Sequence, residues 1–393
     1  MHFHRSRKVR HAVGSSLLAA FAFMVVSLGI AHAQGYGFAA PGGYGLKIYR
    51  VDASLYPFVQ VYLRTFDDRY QPLVNLNEPN IGLMVKGRSY DPAKRQYGIQ
   101  SIRQRQEATR SVLVLDSSKS MRGVPFDAAL KAVVRFIESK RPQDEVAVLT
   151  TRDNEKGFDE VSHFERDGRA LARRIADVRA DGNRTRLYDT IAAAMQMCAM
   201  SAQGSVESGS YVVSCSIVVF SDGRDDGSAL SREELMTRVS GLQIPIPIYS
   251  LAYSRQSPEY FRNLEALSKN SFGLYFNVGE TLDKMQRIVE EIQNILQSDY
   301  VVVFRSYVPV DGAKHNFKLG VEYPSGSGKY VYDDGNFEAI EPPPIPALLE
   351  QQSKLAQRIP ALPDGNPGFD QPAMPAPLAA PKAAPAPIGG EQR

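Results

Sequence analysis

Sulfur and imidazole are scarce in this chain. Of its 393 residues only two are cysteine and six are histidine. Four of the histidines, His2, His4, His11 and His32, fall in an N-terminal segment that reads as a leader, which leaves only His163 and His315. A histidine-rich zinc site is hard to assemble from that inventory. There is no G-x-S-x-G nucleophile elbow and no G-x-x-x-x-G-K phosphate loop. Lys and Arg are not gathered with stacking aromatics as a nucleic-acid footprint requires. No cysteine lies near the end of the apolar leader, so nothing points to a lipid-modified N-terminus.

The leader itself is built from Arg5, Arg7, Lys8 and Arg10, an almost wholly apolar run from Ala12 to Ile30, and Ala31-His32-Ala33 at the spacing a signal peptidase needs. This predicts a signal peptide over 1–33, cleaved after Ala33, and hence an exported protein, periplasmic or at the cell surface or secreted. The alternative is a retained anchor, since Val13 to Ala33 is just long enough to span a bilayer. The leader holds four of the 46 basic residues and none of the 43 acidic ones, so the mature chain has a net charge near −1.

Length and patterning imply more than one domain. Over 34–109 the runs Leu46 to Val51, Pro57 to Phe66, Ile81 to Lys86 and Gln96 to Ile102 read as short strands between turn clusters. At Ser111 the rhythm changes. Val112-Leu113-Val114-Leu115 suits a strand covered on both faces, and Phe126, Ala129, Leu130, Val133, Val134 and Ile137 follow at helical spacing. Strand candidates Glu145 to Thr150, Val212 to Phe220, Ile246 to Ala252 and Gly273 to Val278 then alternate with five more helix candidates, ending with Thr281 to Ser298. That alternation over 110–298 predicts an α/β fold with a doubly wound, mostly parallel sheet, whose ligands sit beyond the carboxyl ends of the strands.

After Ser298 the β pattern returns at Tyr300 to Phe304, His315 to Tyr323 and Lys329 to Tyr332. Residues 299–340 are too few for a stable sheet of their own. They are expected to pair with the N-terminal strands as the second part of an immunoglobulin-like β-sandwich that flanks the α/β unit, with a separate small sheet as the alternative. The tail, 341–393, carries 13 of the 25 prolines and Ala-Pro repeats, and is expected to be disordered. Cys198 and Cys215 would meet an oxidising compartment after export. A disulfide between them and two buried free thiols are both compatible with the sequence.

Three short segments fall at strand ends or helix starts: Asp116-Ser117-Ser118-Lys119-Ser120, Gly182-Asn183-Arg184-Thr185 and Asp222-Gly223. Together they offer two carboxylates and three hydroxyls, hard oxygen donors that suit Mg²⁺, Mn²⁺ or Ca²⁺ and not zinc or copper. Any one of them alone reads as an ordinary turn or helix cap. The order D-x-S-x-S, then Thr185 before Leu187-Tyr188-Asp189, then a hydrophobic strand ending in Ser-Asp-Gly, resembles the metal-ion-dependent adhesion site of von Willebrand factor type A domains of exported bacterial proteins.

The resemblance runs from about Arg110 to Ser298 and implies a Rossmann-like unit. It also implies that Ser118 and Ser120 bind the cation directly, Asp116 and Asp222 directly or through water, and Thr185 in a conformation-dependent way. It further implies Mg²⁺ as the cofactor and a non-catalytic, metal-dependent adhesion function, in which a protein partner's Asp or Glu completes the coordination. Lys119, Arg184, Arg186 and Arg224 lie in the same loops and could form a basic rim that steers acidic partners. The reading the sequence favours over a rim is a set of solvated charges offset by Asp181, Asp225 and Asp226. Asp189 reads as a helix-surface residue.

Three other functions compete. A hydrolase would need Ser118 or Ser120 with His163 or His315 as base, and neither histidine has a recognisable catalytic context. A subunit of an ATPase-associated chaperone shares the fold but needs ATP, which the leader argues against. The third is a structural envelope scaffold with an unused metal site.

Overall fold

The computed structural model describes residues 43–69, 71–105, 107–201, 212–242, 245–253, 258–278 and 283–360. The expected leader and residues 361–393 of the expected tail lie outside them. The N-terminal part contains β1 (Tyr44–Leu55), β2 (Phe58–Asp67), β3 (Ile81–Val85), β4 (Arg88–Ser89) and β5 (Tyr97–Ser101). The α/β part follows as β6 (Ala108–Leu115), α1 (Val124–Ser139), β7 (Glu145–Thr151), β8 (Phe158–Glu165), α2 (Gly168–Ala176), α3 (Leu187–Ser201) and β9 (Val212–Ser221). It continues as α4 (Arg232–Ser240), β10 (Ile248–Ala252), α5 (Pro258–Asn270), β11 (Tyr275–Asn277) and α6 (Asp283–Leu296). Last come β12 (Tyr300–Arg305), β13 (Lys314–Val321), β14 (Val331–Glu338) and α7 (Pro346–Arg358).

The central sheet is mostly parallel, in the order β11-β10-β9-β6-β7-β8. Its middle strand shows why the run Val112 to Leu115 is continuously apolar. Leu113 and Leu115 pack with Phe126, Val133 and Phe136 of α1 and Val289 and Ile292 of α6. Val112 and Val114, of opposite parity, pack with Leu187 and Ile191 of α3, Leu235 of α4 and Leu264 of α5. Both faces are covered by helices, so both parities must be apolar. Strand β8 is absent from the sequence reading. It pairs antiparallel with β7 at the sheet edge and is only half covered, so it carries neither an apolar run nor a clean alternation.

The remaining strands form two four-stranded antiparallel sheets, β1-β2-β12-β5 and β14-β13-β3-β4. Each contains strands from both ends of the chain: β12 pairs with β2 and β5, and β13 with β3. The two sheets share a core in which Val59, Val61, Val302 and Phe304 meet Leu83, Val85, Phe317 and Leu319. The α/β unit is thus inserted between β5 and β12. A buried ion pair sits where α6 hands over to β12. Arg64 on β2 donates through Nε and Nη2 to the two carboxylate oxygens of Asp299, at 3.0 and 2.9 Å, and the Ile102 N–H donates to the Asp299 carbonyl at 2.7 Å.

The expectation of a wholly disordered tail is corrected over its first part. Residues Pro346–Arg358 form helix α7, with proline in the first turn, where its missing N–H costs nothing. Leu348, Leu355, Ala356 and Ile359 make an apolar stripe over the outer face of the first sheet, against Phe58, Val301 and Val303. Proline density hid this stripe in the sequence. Among the described residues no helix is long and apolar enough to cross a membrane.

Cys198, near the end of α3, and Cys215, near the start of β9, are joined in a disulfide. Crosslinks act largely by shrinking the unfolded ensemble, so replacing both cysteines by serine is expected to cost about 3 kcal/mol. Urea denaturation of the oxidised protein and the double variant measures this; identical midpoints would refute it.

Candidate metal centre

All three loops identified in the sequence emerge at the carboxyl ends of β6 and β9 or at the start of α3. The backbone sews them together. Asp116 donates its N–H to the Phe220 carbonyl at 2.9 Å, placing the ends of β6 and β9 side by side. Ser118 forms an isolated bridge with Gly182, with Lys119 N donating to Gly182 O at 2.9 Å and Gly182 N to Ser117 O at 3.1 Å. Thr185 N donates to Asp226 Oδ1 at 2.7 Å, and the Thr185 carbonyl accepts the N–H groups of Asp226 and Gly227. These bonds carry Thr185 to the loop that follows Asp222. Gly223 sits at φ 79°, and a Cβ there would come within 2.7 Å of the Tyr260 carbonyl, so only glycine lets the chain turn directly after Asp222.

Asp116, Ser118, Thr185 and Asp222 are buried, whereas Ser120 is exposed at the mouth. Asp116 Oδ1 accepts from Ser118 N at 3.0 Å and from Thr151 Oγ1 at 3.3 Å, and Oδ2 accepts from Ser221 Oγ at 2.7 Å. The Ser118 and Ser120 hydroxyls lie 2.9 Å apart. Asp222 Oδ1 accepts from Arg224 N at 3.0 Å. Its other oxygen, Oδ2, is buried and has no hydrogen-bond partner. Burial, and then the neighbouring Asp222 charge, push the Asp116 carboxyl up to about 6.

Two desolvated carboxylates side by side, one with an orphaned oxygen, are unfavourable without a positive charge between them. The donor set is oxygen only, two carboxylates and three hydroxyls; among the described residues no group of three His, Cys, Asp or Glu side chains could hold a metal. The residues therefore fit a hard divalent cation.

Of the four basic residues in these loops, the structure leaves three at the surface. Lys119 and Arg184 are exposed, and Arg224 is exposed and paired with Asp226 at 3.0 Å. Lys119 also bonds the Asn183 side chain. Arg186 is corrected: its guanidinium is 15% exposed, pairs with Asp189 at 2.6 Å and donates to the carbonyls of Asn154 and Glu155. It ties the β7–β8 turn to the start of α3 and cannot belong to a rim. Asp189 and Asp225 are corrected too. Asp189 is half-buried and accepts the N–H groups of Ala229 and Leu230, while Asp225 accepts from Tyr188 N and Ser228 Oγ. Both brace the loop after β9 against α3, and burial raises the Asp225 carboxyl.

Sequence reasoning missed Thr151 and Ser221, which hold Asp116. Their position at the carboxyl ends of β7 and β9 was the available signal. The two histidines are elsewhere: His163 on β8 pairs with Glu160, and His315 on β13 bonds Asp311.

Residues 111–224 match the family model described as the von Willebrand factor type A domain. This segment is a von Willebrand factor type A domain. The α/β elements of the domain run on past the matched residues to Leu296. No curated protein matches the chain. Among solved structures it is similar to a von Willebrand factor type A protein from Catenulispora acidiphila, with 11% identity and TM-score 0.42, covering 70% of this chain and 76% of that one. It is also similar to the SpRpn10 VWA domain, with 14% identity and TM-score 0.35, covering 46% of this chain and 93% of that one.

Proposed function

We propose that this protein is an exported, non-catalytic protein-binding module. Its von Willebrand factor type A domain holds a divalent cation, magnesium first, and recognises an acidic side chain of a partner protein. The observation that carries the reading is the buried, unpartnered Asp222 Oδ2 beside the buried Asp116 carboxyl. Asp116, Ser118, Ser120, Thr185 and Asp222 would hold the cation. The three hydroxyls add no charge of their own, and a coordination position left open on such an ion would take an incoming Asp or Glu oxygen. Thr151 and Ser221 keep the Asp116 carboxylate fixed, and the Asp226 carboxylate keeps the Thr185 loop in place. Lys119, Arg184 and Arg224, exposed in the same loops as the ligands, would steer an acidic partner. Export is supported by the basic, apolar and Ala-His-Ala succession of the first 33 residues.

Affinity capture from cell-envelope extract tests the reading. A partner is expected to be retained in Mg²⁺, released by chelator, and absent with the Asp116→Ala protein. Retention that ignores both chelator and substitution would defeat it.

A further inference from the structure

At the other end of the central sheet, where β9 and β10 begin, a cavity of about 430 Å³ lies between the α/β domain and strand β1. Its walls include Val213, Leu242, Ile246, Phe272 and Leu296, together with Cys215 of the disulfide. The charged side chains among its described lining residues are Lys47, Arg50 and Arg64; no carboxylate is among them. Each cation has an anchor, and those of Lys47 and Arg64 lie outside the cavity lining. Arg50 donates to the Val212 carbonyl at 3.0 Å, and Lys47 meets Asp333 at 3.2 Å. Arg64 is held by Asp299 through Nε and Nη2 only. Its third nitrogen, Nη1, has no acceptor among the described residues.

We infer that this cavity is a binding site for a small amphiphilic monocarboxylate, a free fatty-acid-like anion bound one molecule at a time. The volume lies within the range of small-molecule sites, and the largely apolar wall removes an alkyl or aryl body from water. The polar end of the ligand is selected by charge. Guanidinium presents planar donors that match a carboxylate, so an anionic head can take Arg64 Nη1 and a spare Lys47 N–H without disturbing either existing ion pair. A cationic head would face three positive side chains, and a neutral hydroxyl would gain no bond between opposite charges from them. The site is separate from the carboxylate cluster at the opposite strand ends and does not depend on cation binding there.

Calorimetric titration of the full chain with octanoate, octanol and octyltrimethylammonium, each as the monomer, tests the inference. Octanoate is expected to bind about tenfold more tightly than octanol, the margin of one hydrogen bond to a charged group, and octyltrimethylammonium not to bind. Leu242→Trp, which fills the cavity, should abolish octanoate binding. Lys47→Glu, at the partly exposed mouth, should weaken it about tenfold while the thermal midpoint stays within a few degrees. Equal affinity for octanoate and octanol, no binding of octanoate, or octanoate binding unchanged in a folded Leu242→Trp protein would each overturn the assignment.

Discussion

An Asp222→Asn protein is expected to lose magnesium binding altogether and, without metal, to be more stable than the parent. Both effects come from one oxygen. Asp222 Oδ2 is buried with no donor facing it, and its charge is the second cause, after burial, of the raised Asp116 carboxyl. Asparagine keeps the oxygen that accepts from Arg224 N and removes the charge. Because the folded-state value of Asp116, about 6, lies above its unfolded value of 3.8, ionising this group disfavours the folded state. The favourable contribution is complete below about pH 4 and gone above about pH 6. At neutral pH, relieving the repulsive part should add on the order of 1 kcal/mol to metal-free stability. Magnesium at a hundredfold excess over its dissociation constant should stabilise the parent by about 2.7 kcal/mol and the variant not at all. Urea denaturation with and without Mg²⁺ reads both. A variant that still gains stability from Mg²⁺, or that is less stable than the parent without it, would refute the account.

Asp299→Ala is expected to be the most damaging single change at the junction of the two parts, costing about 3–5 kcal/mol. The substitution strands the Arg64 guanidinium in the interior. Burial alone would lower its proton affinity, but the Asp299 carboxylate more than offsets this, so arginine stays charged in the native protein. The carboxyl of Asp299 is itself raised by burial, against the pull of Arg64. Each group is tolerable only because of the other. Replacing both at once, Arg64→Met with Asp299→Leu, should therefore recover most of the loss. Chemical denaturation of the two single variants and the double variant forms the required cycle. A cost below about 1 kcal/mol for Asp299→Ala would show that water reaches the pair.

Much of the α/β architecture was legible in the sequence because its signals are local. Val112 to Leu115 is apolar at both parities because helices cover both faces. The helical spacing of Phe126, Ala129, Val133 and Ile137 marks α1 because that face packs against the sheet. Strand β8 escaped because an edge strand with one poorly covered face needs no hydrophobic pattern. Helix α7 escaped because its apolar stripe is diluted by proline-rich flanks and acquires a partner only when the outer face of the β1-β2-β12-β5 sheet exists.

Residue chemistry is written in the order of the chain: two carboxylates, three hydroxyls and the strand ends that carry them follow from composition and periodicity. Which groups are satisfied is not. Asp222 Oδ2 is orphaned, Arg186 turns inward to Asp189, and β12 chooses β2 and β5 as neighbours only after segments far apart in sequence have packed. Local conformational preference is set by neighbours along the chain. Burial, and with it the cost of an unpaired charge, is set by neighbours in space.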